Sequence, residues 1–153
     1  MPKLGDRVPN FSLPNQDGKM VSLSDFKGKK LVIFAFPKAD TPGCNNQACH
    51  FKEVFDKFQL NKASVLGISP DKIEDLKAWK EKKQLPYDLL SDVDHKLLNE
   101  WEAWGKKLFG LIPVPFATRS FWVINEEGIL VASKIDIDPE ESVTQALEAV
   151  MNF

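Results

Sequence analysis

Two cysteines, two histidines and no long apolar run mark what this chain of 153 residues has little of. Two cysteines are too few for a disulfide framework, and in a reducing compartment such a pair serves reactivity or metal binding before structure. No stretch approaches the roughly 20 apolar residues that span a bilayer, so no membrane segment is expected. The opening MPKLGDRVPNF has no apolar stretch behind a basic one and no amphipathic Arg/Ser-rich character. Neither a secretory signal nor a transit peptide can be read there, and a cytoplasmic protein is the expectation. An excess of one charge is missing too. The formal net charge is −2, and Lys and Glu interleave along the amphipathic segments, which argues against nucleic acid or an anionic membrane as partner. Repeats, low-complexity tracts and linkers are absent. One domain over residues 1–153, acting as a monomer, is expected; at that size about two thirds of the unfolded surface can be buried.

What is present is an ordered succession of periodic segments. NFSLPNQDGKMVSL reads as two short extended pieces around Asp17-Gly18, an N-terminal hairpin. KKLVIFAFP holds a continuous apolar run, Leu31 to Phe36, stopped by Pro37, which predicts a buried central strand. From Pro42 to about Phe58 the residues Phe51, Val54, Phe55 and Phe58 recur at three- and four-residue spacing, the pattern of a helix with one buried face. ASVLGISP predicts a second buried strand, and DKIEDLKAWKEKKQ an amphipathic helix opened by Asp71. YDLLSD reads as a short strand, VDHKLLNEWEAWG as a helical piece ending at Gly105, and GLIPVPFAT as a Pro-rich loop. RSFWVINEEGILVASKI predicts a hairpin around Glu126, Glu127 and Gly128, and DPEESVTQALEAVMNF a terminal helix with Pro139 in its first turn. The alternation predicts an α/β fold: a central mixed sheet covered by helices on both faces, its parallel pair joined by a right-handed crossover. In such sheets the functional crevice lies beyond the carboxyl ends of the parallel strands.

Both cysteines fall at that end, within FAFPKADTPGCNNQACHF. With Thr41 as N-cap, Pro42 is the first helical residue and Cys44 the third, so its sulfur meets unsatisfied backbone N–H groups and the positive end of the helix dipole, which favour the thiolate. The competing reading is a small buried hydrophobe. Cys49 lies five residues on in the same helix. At that spacing the Cα atoms are about 8.6 Å apart, beyond the roughly 7 Å a disulfide tolerates, so the two can bridge only if the helix unwinds. Cys49 could equally be a buried spectator. Cys44, Cys49 and His50 cluster in sequence, yet zinc motifs pair thiols two to four residues apart and add a second pair, whereas this chain has no other cysteine and one further histidine, His95. No metal and no cofactor are expected, and His50 reads as a partly buried polar residue.

Pro37, Thr41 and Cys44 in PKADTPGC resemble the Pro-x-x-x-Thr-x-x-Cys motif of the peroxiredoxins, and the Cys44–Cys49 spacing resembles the subgroup called peroxiredoxin Q or bacterioferritin-comigratory protein. The similarity runs on through KLGDRVPNFSLPNQDGKMVSLSDFKGK, VLGISPD and ATRSFWVINEEGIL. It implies a thioredoxin-like fold with an N-terminal hairpin extension, and thiol-dependent reduction of hydrogen peroxide and organic hydroperoxides. By that resemblance Cys44 would be the peroxidatic thiolate, Cys49 the resolving thiol and Arg119 the stabilising cation. Thr41 would hold the peroxide oxygen, Pro42 would shield the sulfenate, and Gly43 would join Thr41, Cys44 and Arg119 around the substrate. A thioredoxin-type dithiol would return the electrons. Two features depart from the family pattern. Gln47 stands where a glutamate is usual, removing a carboxylate that could orient Arg119 although a glutamine carbonyl can still accept. LIPVPFAT is unlike the usual segment before the arginine. The rival readings are a thiol-disulfide oxidoreductase, which normally carries Cys-x-x-Cys, absent here, and a peroxide sensor using the same pair.

Overall fold

A computed structural model describes residues 1–108 and 110–153. Its centre is a five-stranded mixed sheet in the order β5-β4-β3-β8-β9. Strands β3 (Lys30–Ala35), β4 (Ala63–Ser69) and β5 (Asp88–Ser91) run parallel, while β8 (Ser120–Ile124) is antiparallel to β3 and β9 (Leu130–Ile135) to β8. The apolar run in β3 is continuous because both of its faces are buried. Val32, Phe34 and Phe36 enter one core, and Leu31, Ile33 and Ala35 the other.

The first core is roofed by four helices: α1 (Pro42–Glu53), α2 (Phe55–Leu60), α3 (Ile73–Lys83) and α5 (Pro139–Asn152). Phe51, Phe58, Leu76, Trp79, Val143 and Val150 are their main contributions, and Phe51 stacks on Phe34 with ring centroids 4.5 Å apart. The second core has one short helix, α4 (Lys96–Glu100), beside the N-terminal segment, whose hairpin of β1 (Ser12–Pro14) and β2 (Met20–Ser22) continues into a 3-10 turn, Leu23–Phe26. The expected α/β architecture, thioredoxin-like with a hairpin extension, is what the chain adopts.

Several boundaries differ from the sequence reading, each for a local reason. The helix expected from Pro42 to Phe58 breaks at Val54, whose backbone (φ −105°, ψ 13°) leaves the helical region. Phe58 thereby reaches the core while Phe55 stays half-buried beside Tyr87. Asp71 does not open α3; Lys72 is the N-cap, and the Asp71 carboxylate instead accepts from the Ala39 amide and the Ser69 hydroxyl, both at 2.8 Å. The helical piece expected to end at Gly105 stops at Glu100. Glu102 takes the left-handed conformation (φ +60°), and the Ala103 and Glu102 amides bond back to Leu98 and Asn99, closing the helix without a glycine. The Pro-rich stretch is not only loop: β7 (Ile112–Pro113) pairs antiparallel with β6 (Lys107–Leu108), and Pro113 is tolerated because it lies in a two-stranded edge ribbon.

The N-terminal hairpin is tied to the sheet at Asp88, which accepts from Asn15 Nδ2 at 3.2 Å and Gln16 Nε2 at 3.1 Å and pairs with Lys80 at 3.4 Å. Burial pushes its carboxyl up, but these donors and the ammonium outweigh it and hold the group below its ordinary value of 3.8. A depressed carboxyl stabilises the fold above its unfolded value and loses that contribution as pH falls through the folded one. In urea unfolding from about pH 7 down to about pH 3, the stability gap between wild type and Asp88→Asn should therefore be constant at neutral pH and shrink below the ordinary value. A gap that widens on acidification would contradict this account.

Candidate active site

The site assembles from strand register. Ala35 at the end of β3 pairs with Ser120 at the start of β8, so Arg119, one residue earlier, emerges beside the chain as it leaves β3 for α1. Its main chain is fixed there by a bond from the Ile137 amide to its carbonyl at 3.0 Å. On the other side, Asp71 holds the connecting loop through the Ala39 amide. Thr41 is the N-cap, Pro42 the first residue of α1, and Cys44 lies in its first turn. Cys44 is fully buried and packs with Phe34, Phe36 and Ala48 in the helix-covered core.

Arg119 Nη2 donates toward Cys44 Sγ at 3.5 Å, and Nη1 donates to Gln47 Oε1 at 2.7 Å. Among the described residues no carboxylate pairs with Arg119. The approach needs Gly43: a Cβ there would stand 2.9 Å from Arg119 Nη2. The first helical bond of α1 runs from the Asn45 amide to the Thr41 carbonyl at 2.8 Å, so the amides of Gly43 and Cys44 precede the ladder. The arrangement brings a thiol and a fixed cation together at the N-terminus of α1.

The other residues singled out from sequence fall as follows. Thr41 caps by position only: its hydroxyl donates to the Lys38 carbonyl at 2.9 Å, which leaves its oxygen free to accept. Cys49 is free and half-buried on the same unbroken helix, away from the Cys44–Arg119 contact. His50 is 3.5 Å from Glu53 on that helix and takes no part in the site. Gln47, the departure from the family pattern, is fully buried and is the acceptor for Arg119. Asp71 was missed as a support of the loop, because an aspartate two residues from a helix start reads as a cap.

A buried thiol at a helix N-terminus with an arginine on the sulfur is the candidate site that this fold presents. A model of the AhpC/TSA family matches residues 4–133. The chain is 46% identical over 107 residues to peroxiredoxin Bcp of Escherichia coli, covering 70% of this chain and 69% of that protein. It is 38% identical over 150 residues to the chloroplastic peroxiredoxin Q of Triticum aestivum, covering 97% and 67%. Among solved structures, peroxidoxin BcpB of Mycobacterium tuberculosis superposes with a TM-score of 0.89 at 28% identity, covering 100% and 99% of the two chains. The bacterioferritin comigratory protein of Xanthomonas campestris, whose structure concerns its alkyl peroxide reduction activity, superposes with a TM-score of 0.86 at 24% identity over 93% and 90%. The chain belongs to the AhpC/TSA family, that of the peroxiredoxins.

Gly43→Ala should push the guanidinium off the sulfur while leaving the fold intact, since alanine is the better helix former. In a Cys49→Ser background, the reaction of Cys44 with hydrogen peroxide should slow several-fold with an unchanged melting temperature. An unaltered rate would show that Arg119 does not need this close approach.

Proposed function

We propose that the protein reduces hydrogen peroxide and organic hydroperoxides at Cys44. The observation that carries this reading is the Arg119 guanidinium 3.5 Å from a sulfur in the first turn of α1. The Cys44 thiolate attacks one oxygen of the peroxide; an S–O bond forms, the O–O bond breaks, and the second oxygen leaves with the bonding pair, taking a proton to become water or an alcohol. Arg119 and the free amides of Gly43 and Cys44 supply fixed donors where that negative charge moves. Thr41, already donating to Lys38, accepts from the peroxide O–H and orients it. Pro42, in the same turn, shields the sulfenate.

Cys49 then attacks the Cys44 sulfenic acid, and a disulfide forms with loss of water. An intact α1 forbids this, because five residues of helix hold the two thiols too far apart. Resolution therefore includes local unwinding of the first turns. Contacts of α1 that must be released include Trp79 Nε1 to Asn45 Oδ1 at 2.7 Å, Tyr87 hydroxyl to the Ala48 carbonyl at 2.6 Å, Arg119 Nη1 to Gln47 Oε1 at 2.7 Å and Gln47 Nε2 to Ser142 Oγ at 3.0 Å. A dithiol of the thioredoxin type restores both thiols. The protein acts as one domain over residues 1–153, as a monomer, in the cytoplasm; among the described residues no helix is long and apolar enough to cross a membrane.

Treated with one equivalent of peroxide, the wild type should lose two hydrogens by mass spectrometry, and Cys49→Ser should instead gain oxygen on Cys44. Amide exchange in the oxidised wild type should quicken over residues 42–50 and stay slow in β3. Turnover of many equivalents with thioredoxin and its reductase distinguishes an enzyme from a sensor, which consumes about one. Dimers linked through Cys44, or an exchange pattern unchanged by oxidation, would overturn the intramolecular cycle.

A further inference from the structure

Gln47 poses a problem that a carboxylate would not. A glutamate offers two equivalent oxygens to an arginine, whereas a glutamine offers an acceptor on one side and two donors on the other. If the amide were turned round, two N–H groups would face the guanidinium in a buried site, and the Arg119 contact would be repulsive. Something must fix which way the amide points.

The hydrogen bonds leave one solution. The Pro139 carbonyl can only accept, and Ser142 Oγ lies 2.6 Å from it, so the serine proton is committed there. Ser142 Oγ can then only accept from its other neighbour, Gln47 Nε2, at 3.0 Å. With the amide nitrogen so committed, Oε1 must face Arg119, where it accepts from Nη1 at 2.7 Å. Gln47 and Ser142 are both fully buried, so water cannot substitute for any link. The chain of donors runs one way, from the guanidinium through Gln47 and Ser142 to a main-chain carbonyl in the first turn of α5. Ser142 is 95 residues from Gln47, and neither its residue type nor its surroundings in the sequence mark it.

We propose that Ser142 is a positioning residue for the reaction at Cys44: anchored on the Pro139 carbonyl, it locks the Gln47 amide with its oxygen toward Arg119 and so fixes the guanidinium at the sulfur. This rests on the reading of Cys44 as the peroxide-reducing thiol. Ser142 touches no substrate, and its effect passes through two other side chains. Its removal weakens the step that needs oriented donors, the cleavage of the O–O bond, more than a step that needs only the thiolate.

The test compares, in a Cys49→Ser background, the rate of Cys44 with hydrogen peroxide and its rate with iodoacetamide, a neutral reagent with no O–O bond to cleave. Ser142→Ala should lower the ratio of the two rates about fivefold, the worth of one misplaced buried hydrogen bond. A general loosening of α5 would move both rates together and leave the ratio unchanged. Combined with Gln47→Glu, the same Ser142→Ala change should alter the ratio less than twofold, because a carboxylate needs no orienting. Ser142→Thr, which keeps the hydroxyl, should restore the ratio. A wild-type ratio no higher than that of free cysteine would overturn the peroxide reading and this inference together. A high wild-type ratio that Ser142→Ala leaves within twofold, or an equal loss in the Gln47→Glu background, would overturn the role of Ser142 alone.

Discussion

The guanidinium of Arg119, set 3.5 Å from the buried sulfur of Cys44, is the contact around which the rest of the molecule is arranged. A cation brought against a core is costly unless its donors are met, so the surroundings must be built to receive it. The antiparallel pairing of β8 with β3 delivers Arg119 to the carboxyl end of the parallel strands. Gly43 clears the space for it, and Gln47 takes its second nitrogen. α5 packs on α1 from the far side and supplies Ser142. Elements far apart in sequence thus meet at one sulfur, and a sheet of this topology brings them there without any loop having to reach.

That arrangement conflicts with the second half of the proposed cycle. Peroxide cleavage wants α1 rigid, with the first-turn amides fixed in place; disulfide formation wants the same turns undone. Two of the hydrogen bonds that hold α1 to its neighbours are of ordinary strength. Trp79 to Asn45 and Tyr87 to Ala48 are each worth on the order of 1 kcal/mol net. Burial, reinforced by the nearby Cys49, holds the Tyr87 hydroxyl protonated well above its usual range, so it remains a donor to the helix at any physiological pH. The break at Val54 limits what must move, because α2, anchored by buried Phe58, need not follow α1.

The architecture was legible because its signals are local and redundant. The apolar run in β3, the glycine turns of two hairpins and Pro139 at the head of α5 each specify their element without outside help. Thr41, Pro42 and Cys44 were legible for the same reason, since a helix start is written in consecutive residues. What could not be read are the interactions that local grammar disguises. Asp71 looks like a helix cap and is instead a tether for the loop that carries Thr41. Glu102 ends α4 in a left-handed conformation that the sequence would assign to Gly105. Ser142 stands at an ordinary position in an amphipathic helix, and only the packing of α5 on α1 brings Gln47 to it.

A carboxylate would hold Arg119 as firmly as the amide does, so what differs is charge. At an effective dielectric near 20, two unit charges about 4 Å apart attract by about 4 kcal/mol, and drawing them to about 5 Å forfeits only about a fifth of that. Attraction between a guanidinium and an anion therefore tolerates small displacements but not a neutralising neighbour. A hydrogen bond behaves in the opposite way, since an ångström of displacement or a poor angle removes it altogether. A neutral acceptor at Gln47 leaves the full charge of Arg119 to the sulfur, and it transfers the burden of alignment to whatever orients the amide. The serine on α5 is the consequence of that choice: the site keeps its charge by giving up the symmetry of a carboxylate, and recovers the lost orientation from a main-chain carbonyl that cannot turn.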